Sequence, residues 1–178
     1  MNSQTKKAIS TLFAVSAGIS LILVIPEILN YVEFYKAAED FQITLENVTV
    51  NDSKIEDGKV FVNVKFNITN PTGFVGLKVS SVSCHMDYRG GSTYQSLAGK
   101  TQVFSPPTQV NPSQSNIVWI NFDLEYKGYE ILIRDFIGYL YTNPEKIDWI
   151  ITGQFILQAY TNSFAVQIGP FQHTTYLR

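Results

Sequence analysis

The feature that most constrains this chain is an uncharged apolar run near its start. Residues 8–25 read AISTLFAVSAGISLILVI, and their only polar groups are small hydroxyls. At about 1.5 Å of rise per residue, a helix of this length spans about 27 Å, close to the hydrocarbon thickness of a bilayer. The run therefore predicts a transmembrane helix over residues 8–26, which ends at Pro26.

The charges on either side of the run predict its orientation. Lys6 and Lys7 precede it, whereas acidic residues dominate the stretch that follows. By the positive-inside rule, residues 1–7 form a cytoplasmic tail and the remainder is extracytoplasmic. Residues 27–40 mix apolar and charged side chains and predict a helical stalk, with Tyr31, Phe34 and Tyr35 at the level of an interfacial aromatic belt. We expect a single-pass protein of the cell membrane.

Two alternatives to an anchor remain open from the sequence. A cleaved secretory signal has an apolar core of about 7–15 residues, and this run is longer with no small-x-small site directly after Ile25. A buried core helix would have to explain so long a run without a charge. The anchor is the preferred interpretation.

Charge and cysteine content narrow the possible partners and cofactors. Of 13 basic residues only Lys6 and Lys7 precede Glu27, so 11 basic and 15 acidic residues follow, a net charge of −4. This argues against nucleic acid or an anionic lipid surface as a partner, since both require a basic face. The single Cys84 cannot form an intramolecular disulfide, and it excludes zinc sites built from several cysteines.

From residue 41 onward the periodicity is that of β-strands. Apolar and polar residues alternate through residues 60–68 and 118–126, which predicts half-buried strands. The phase slips near Glu46-Asn47 and near Ser80-Ser81 indicate bulges or bends. Further strands are predicted at residues 94–104, 147–157 and 164–168, with turns at Asp57-Gly58 and Gly90-Gly91.

Two segments interrupt the strand pattern. Residues 129–141 place apolar side chains on one stripe of a helix that Asn143-Pro144 would end. Residues 105–116 (SPPTQVNPSQSN) predict a Pro-rich surface loop. The sequence therefore predicts one mainly β domain over residues 41–178, an antiparallel β-sandwich with one amphipathic helix.

The order of these elements and several local motifs resemble one known family. A long strand runs into Asn70-Pro71 (VFVNVKFNITNPTGF), and the next ends in YRG at residues 88–90. Further along come Pro106-Pro107, the short helix, Ile147-Asp148-Trp149, Gly153 and the segment FAVQIGPF. On these motifs, residues 41–171 resemble the type 2 late embryogenesis abundant domain, also called the water stress and hypersensitive response domain, in a membrane-anchored form of archaeal or bacterial type.

The resemblance implies an immunoglobulin-like sandwich with one helix, no enzyme activity, and an association with desiccation or stress. Many members of that family are soluble and intracellular, whereas this chain is expected to be tethered outside the membrane.

Candidate catalytic groups have ordinary structural explanations. Asp123 and Glu125 lie two apart on one strand, about 7 Å from each other, a separation that a glycosidase carboxylate pair could use. Their alternation with apolar residues is equally explained by a solvated outer face. Cys84 and His85 are adjacent and point to opposite faces, so they cannot form a nucleophile–base pair, and His173 is remote in sequence. We expect Cys84 to be a buried structural thiol and no catalytic residue.

Metal and phosphate sites are likewise not indicated. Asn51-Asp52 and Glu56-Asp57 flank one turn and could hold a weak calcium ion, but a plain charged turn is the preferred interpretation. Gly73 and Gly76 lie in a turn without the Lys-Ser/Thr of a phosphate loop. We expect no cofactor.

Four residues are candidates for surface function. Asn47, Asn51 and Asn67 each begin an N-x-S/T triplet and are possible glycosylation sites, with Asn67 on the predicted wet face. Trp119 is out of phase with its apolar neighbours and points outward. We expect it to pack under the domain's own helix, with contact to a partner as the alternative.

Three functional hypotheses follow. The first is a non-enzymatic, membrane-tethered domain that binds or protects at the cell surface in a stress-related role. The second is an accessory subunit of a larger membrane complex, formed with another membrane protein or as a homo-oligomer. Packing of the apolar helix against another helix is favoured by small residues on one side of the run, namely Ala14, Ser16, Ala17, Gly18 and Ser20. A hydrolase is the weakest.

Overall fold

A computed structural model describes residues 3–128, 130–142, 144–160 and 162–177, with side chains from residue 10 onward. The chain divides into two compact units, residues 1–36 and residues 37–178.

The first unit is helical throughout its described length. Helix α1 (Ser3–Glu39) continues through Pro26. Its segment Ser10–Glu39 has a mean hydropathy of 2.3 over its most apolar window, none of which is buried, so its length and composition suffice to cross a membrane. The hydroxyl of Ser20 donates to the Ser16 carbonyl at 2.9 Å, so this polar side chain is satisfied within the helix. The boundaries at residues 7, 26 and 40 stay predictions.

The second unit is a β-sandwich of two antiparallel sheets. Its strands are β1 (Gln42–Asn51), β2 (Lys59–Thr69), β3 (Lys78–Gly90), β4 (Thr93–Gln109), β5 (Ser115–Glu125), β6 (Lys146–Ala159) and β7 (Asn162–Tyr176). One sheet has the order β1-β2-β5 and the other β4-β3-β6-β7. A 3₁₀ turn (Ile55–Asp57) joins β1 to β2, and helix α2 (Ile131–Tyr141) joins β5 to β6. The predicted fold class is confirmed.

The core lies between the two sheets and follows the alternation of the sequence. On β2 every second residue from Val60 to Ile68 is fully buried, because successive side chains of a strand point to opposite faces. Phe66 of β2 meets Phe155 of β6 edge to face, with ring centroids 5.6 Å apart. An aromatic pair of this geometry stabilises the contact between sheets beyond its buried area.

Both predicted phase slips are β-bulges. The pairing of β1 with β2 shifts between Leu45 and Asn47, and β3 shifts between Val79 and Ser81 against both of its neighbours. At a third irregularity, in β6, Gly153 approaches β3 so closely that a Cβ there would lie 2.0 Å from the carbonyl oxygen of Ser83. Only glycine fits without movement of the backbone.

Two details of the strand predictions were wrong. Residues 105–109 belong to β4 rather than to a surface loop. Prolines are tolerated there because β4 is an edge strand and residues 104–107 have no partner in the register with β3. In addition, β5 ends at Glu125, so Tyr126 lies outside the strand and is 36% exposed.

Helix α2 covers one end of the core, which we call the closed end. The ring of Phe136 lies 4.8 Å from that of Tyr88 and 5.8 Å from that of Trp149. Trp149 Nε1 donates to Thr175 Oγ1 at 3.0 Å, and that hydroxyl donates to the Val48 carbonyl. This relay fastens β6 and β7 of one sheet to β1 of the other. The helix prediction is confirmed from Ile131, while Tyr129 and Asn143 lie outside the described residues.

Candidate binding face

The outward side of the sheet β1-β2-β5, which we call the outer face, carries the candidate surface residues. On β2 and β5 its members alternate with buried core residues, and β1 continues the face through its pairing with β2. They are Thr44, Glu46, Asn47, Thr49 and Asn51 of β1, Lys59, Phe61, Asn63, Lys65 and Asn67 of β2, and Ile117, Trp119, Asn121, Asp123 and Glu125 of β5. Asparagine is the commonest residue among them.

Strand register arranges these residues in rows across the sheet. Lys65 of β2 is paired with Asn47 on one side and Trp119 on the other. In the next row Asn63 is directly opposite Asn121. Because adjacent strands lie about 4.8 Å apart and same-face residues about 7 Å apart along a strand, the two rows form one continuous patch.

Trp119 is 44% exposed at the β5 edge of this patch. The expectation that the domain's own helix covers it was wrong, because α2 packs at the closed end against Tyr88 and Trp149. The ammonium of Lys65 lies 5.6 Å from the centroid of the Trp119 ring and 2.6 Å from the carboxylate of Glu46. The cation therefore holds the indole in place while its own charge is neutralised.

All three glycosylation candidates also lie on the outer face. Asn47 is exposed beside the bulge of edge strand β1, and Asn51 is exposed at the end of the same strand, where its Oδ1 accepts from the backbone of Ser53 at 3.0 Å. Asn67 is only half exposed on the central strand, and within the described residues its Oδ1 is buried without a hydrogen-bond partner. Their glycosylation stays a prediction, for which Asn67 is the least accessible acceptor.

Glu125, one member of the acidic pair at one end of the face, is engaged in ion pairs. Glu125 lies 3.0 Å from Lys59 and 3.4 Å from Lys127. The hydrogen bond from Lys59 lowers the pKa of Glu125 below its usual value. A glycosidase general acid requires a raised pKa, so the environment of Glu125 suits a surface ion pair rather than proton donation to a glycosidic oxygen.

Cys84 is a buried thiol, as predicted from its strand phase. It is 2% exposed, and burial raises its pKa to about 12, so the nucleophilic thiolate is suppressed. His85 points away to Ser96 and Asp87, both at 3.1 Å. His173 is opposite Trp149 of β6, whereas Cys84 is opposite Gly153, four residues further along the same strand. The structure therefore does not bring Cys84 and His173 together.

A groove of about 690 Å³ runs between β1 and the end of β7. Its lining includes Val48, Glu145, His173 and Tyr176, and partial burial lowers the pKa of His173. It contains neither Cys84 nor the pair on β5. Across the described part of the chain, no group of three or more His, Cys, Asp or Glu side chains is placed to hold a metal ion.

Comparisons with known proteins give only distant likenesses. No family model and no curated protein sequence matches the chain. A crystal structure of a protein from Archaeoglobus fulgidus is similar with a TM-score of 0.46 and 12% identity, over 78% of this chain and 96% of that one.

The solution structure of a protein from Arabidopsis thaliana gives a TM-score of 0.43 and 12% identity, over 77% of each chain. A β-glucosidase from Kluyveromyces marxianus gives 0.34 and 8%, over 71% of this chain and only 15% of the enzyme. The resemblance to the late embryogenesis abundant family stays a prediction.

Proposed function

We propose that this chain is a non-enzymatic binding domain held at the outer surface of a membrane by α1, with the outer face as its binding surface. The observation that carries the proposal is the exposure of Trp119 on the outer face, with the helix of the domain packed elsewhere, at the closed end. A large aromatic side chain in a neutral polar patch is typical of a recognition surface.

The anchoring part of the proposal is supported by the character of α1. Its apolar side chains between Leu12 and Ile25 are exposed on every side, which suits lipid rather than a protein interior. Orientation with the N-terminus inside is supported by Lys6 and Lys7. A protective, stress-related role is part of the proposal only through the family resemblance.

The test of anchoring uses the full chain in intact cells. We expect it to stay in the membrane fraction at alkaline pH, and added protease to remove residues 37–178. Leu21→Arg with Leu23→Arg should release the protein, because each charge at the centre of a span costs about 2.5–3.5 kcal/mol, whereas Leu21→Ala with Leu23→Ala should not. Loss of the N-terminal run from the mature protein by intact mass would instead establish a cleaved signal.

The alternative function is an accessory subunit whose single helix packs against another membrane helix. Ala14, Ala17 and Gly18 lie on one side of α1 and would permit close approach of a second backbone, since a Cβ at Gly18 would meet nothing within 4 Å. Gly18→Leu should then abolish a stoichiometric complex seen after mild detergent extraction. A monomer of unchanged size in both proteins would contradict this alternative.

A further inference from the structure

We propose that the outer face binds a neutral polysaccharide, with a sugar ring stacked on Trp119 and its hydroxyls bonded to the neighbouring amides. This inference rests on the proposed function, because it names the class of ligand for the same face.

The aromatic side chain supplies the stacking surface. The face of an indole carries negative charge density, which attracts the partly positive C–H groups on the face of a hexose as it attracts a cation. Trp119 lies on edge strand β5 and is 44% exposed, so a sugar ring can approach it from the outer side of the sheet. Lys65 of the neighbouring strand β2 restrains the indole, with its ammonium 5.6 Å from the ring centroid.

The amides supply hydrogen bonds of the kind that a sugar needs. A side-chain amide both donates and accepts, and a hydroxyl does the same, so a row of asparagines can pair with a polyol without any charge. Asn63 and Asn121 form the row next to Trp119, about 7 Å along the strands, which is roughly the length of one hexose. Asn67, diagonal to Trp119, has a buried Oδ1 that lacks a partner among the described residues.

The charge and polarity of the patch argue against other ligands. Lys65, the cation that lies over Trp119, is paired with Glu46 at 2.6 Å, so neither of these two charges is free to bind a phosphate or a basic peptide. The exposed large hydrophobic residues of the described outer face are Trp119 and Ile117, whereas the centre of a protein–protein interface is predominantly apolar. A neutral, hydroxyl-rich polymer is the ligand that fits.

The test uses the full chain in lipid nanodiscs, produced in a host without N-glycosylation so that Asn47 and Asn67 carry no glycan. Cellohexaose and chitohexaose are the probes, since both are flat neutral chains of equatorial hexoses. Of the two tryptophans, Trp149 is buried and Trp119 exposed, so a saturable change in tryptophan emission reports on the outer face. We expect such a change with at least one probe.

Matched variants locate the binding. Trp119→Ala should weaken binding about tenfold or more, measured by calorimetry because the reporter is removed. The double variant Asn63→Ala with Asn121→Ala should also weaken sugar binding, but by a smaller factor than Trp119→Ala does. Tyr94→Ala is the control, because Tyr94 is 40% exposed on the other sheet and lies under a cation, Arg89, at 5.9 Å. It should bind as the unaltered chain does.

Two results would overturn the inference: no saturable signal with either probe, or equal affinity of the Trp119→Ala and Tyr94→Ala proteins. Thermal unfolding of each variant establishes that the domain is folded. Retention in native membranes is scored separately for the same proteins. A chain that stays in membranes but binds neither sugar refutes the inference alone, and a chain that binds sugar but leaves the membrane refutes only the anchoring proposal.

Discussion

The two tryptophans of this chain occupy contrasting regions. Trp149, at the closed end, is fully buried, packs against Phe136 at 5.8 Å and donates a hydrogen bond to Thr175 at 3.0 Å. Trp119, on the outer face, is 44% exposed and lies under a cation that Glu46 neutralises. Both lie on strands, Trp119 between Val118 and Ile120 and Trp149 between Asp148 and Ile150.

The difference separates a side chain that stabilises the fold from one that is available for recognition. At the closed end every interaction of the indole is made within the domain, so nothing remains for a ligand. On the outer face the indole contributes little to the core, and its retention in an exposed position needs another explanation.

Trp149→Ala should lower the free energy of unfolding by about 3–5 kcal/mol, because it removes a large buried side chain and leaves a cavity. Denaturant unfolding of the isolated domain or of the full chain in detergent measures the loss. Trp149→Phe, which keeps most of the apolar volume but not the donor to Thr175, is the control and should lose less. If Trp149→Ala lowered the free energy of unfolding by less than about 1 kcal/mol, Trp149 would not differ from Trp119 in its contribution to the fold.

Two asparagines of the β2 region provide a second test. Asn70 is fully buried, and its side chain donates to the Phe74 carbonyl at 2.9 Å and accepts from the Thr72 backbone at 3.1 Å. Asn70→Ala should lower the free energy of unfolding by about 1–3 kcal/mol, since partners are left unpaired.

Asn67→Ala, three residues earlier on the opposite face, should have a much smaller effect, because its Oδ1 has no partner to lose among the described residues. Unfolding curves of the two variants, recorded side by side, check the pair. Equal losses would mean that the outer face is as structural as the core.

The closed end should also respond to pH through His173, which is paired with Trp149 across β6 and β7. Burial lowers the pKa of His173 below 6.5, so the unfolded chain takes up the proton first. The contribution of neutral His173 to the free energy of unfolding is therefore fully present above about pH 6.5. It is lost progressively as the pH falls from 6.5 toward the folded pKa, and it does not change further below that pKa. His173→Gln should flatten this part of the profile; an unchanged slope would assign it to other groups.

Trp119→Ala should change the free energy of unfolding by no more than about 0.5 kcal/mol, as is usual for exposed positions. The cation–π contact with Lys65 is partly solvated and sets this upper value. Thermal and chemical unfolding measure the change. A loss comparable with that of Trp149→Ala would show that the outer face belongs to the structural core.

Much of the fold could be predicted because alternation in the sequence reports burial directly. The phase slips at Glu46-Asn47 and Ser80-Ser81 each marked a bulge, and the stripe of residues 131–141 marked the helix. The extension of β4 through Pro106-Pro107 was missed, because proline content indicates a loop unless the strand is known to lie at an edge.

The composition of the outer face could be predicted only in part. The outward phase of Trp119 and Asn67 was readable from their own strands. Their proximity was not, because it depends on the pairing of β2 with β5, segments about 50 residues apart. The position of α2 is a tertiary property as well, which is why the expected cover over Trp119 was wrong.

The hydrogen bond from Thr175 to the Val48 carbonyl joins the first and last strands across 127 positions of the chain. Closing so long a loop of the chain costs conformational entropy, and this cost precedes any stabilisation by the contact. During synthesis the domain therefore stays incompletely folded until β7 has left the ribosome. A ribosome stalled before Thr175 should hold a domain that proteases can still cleave, and one stalled well beyond it should not.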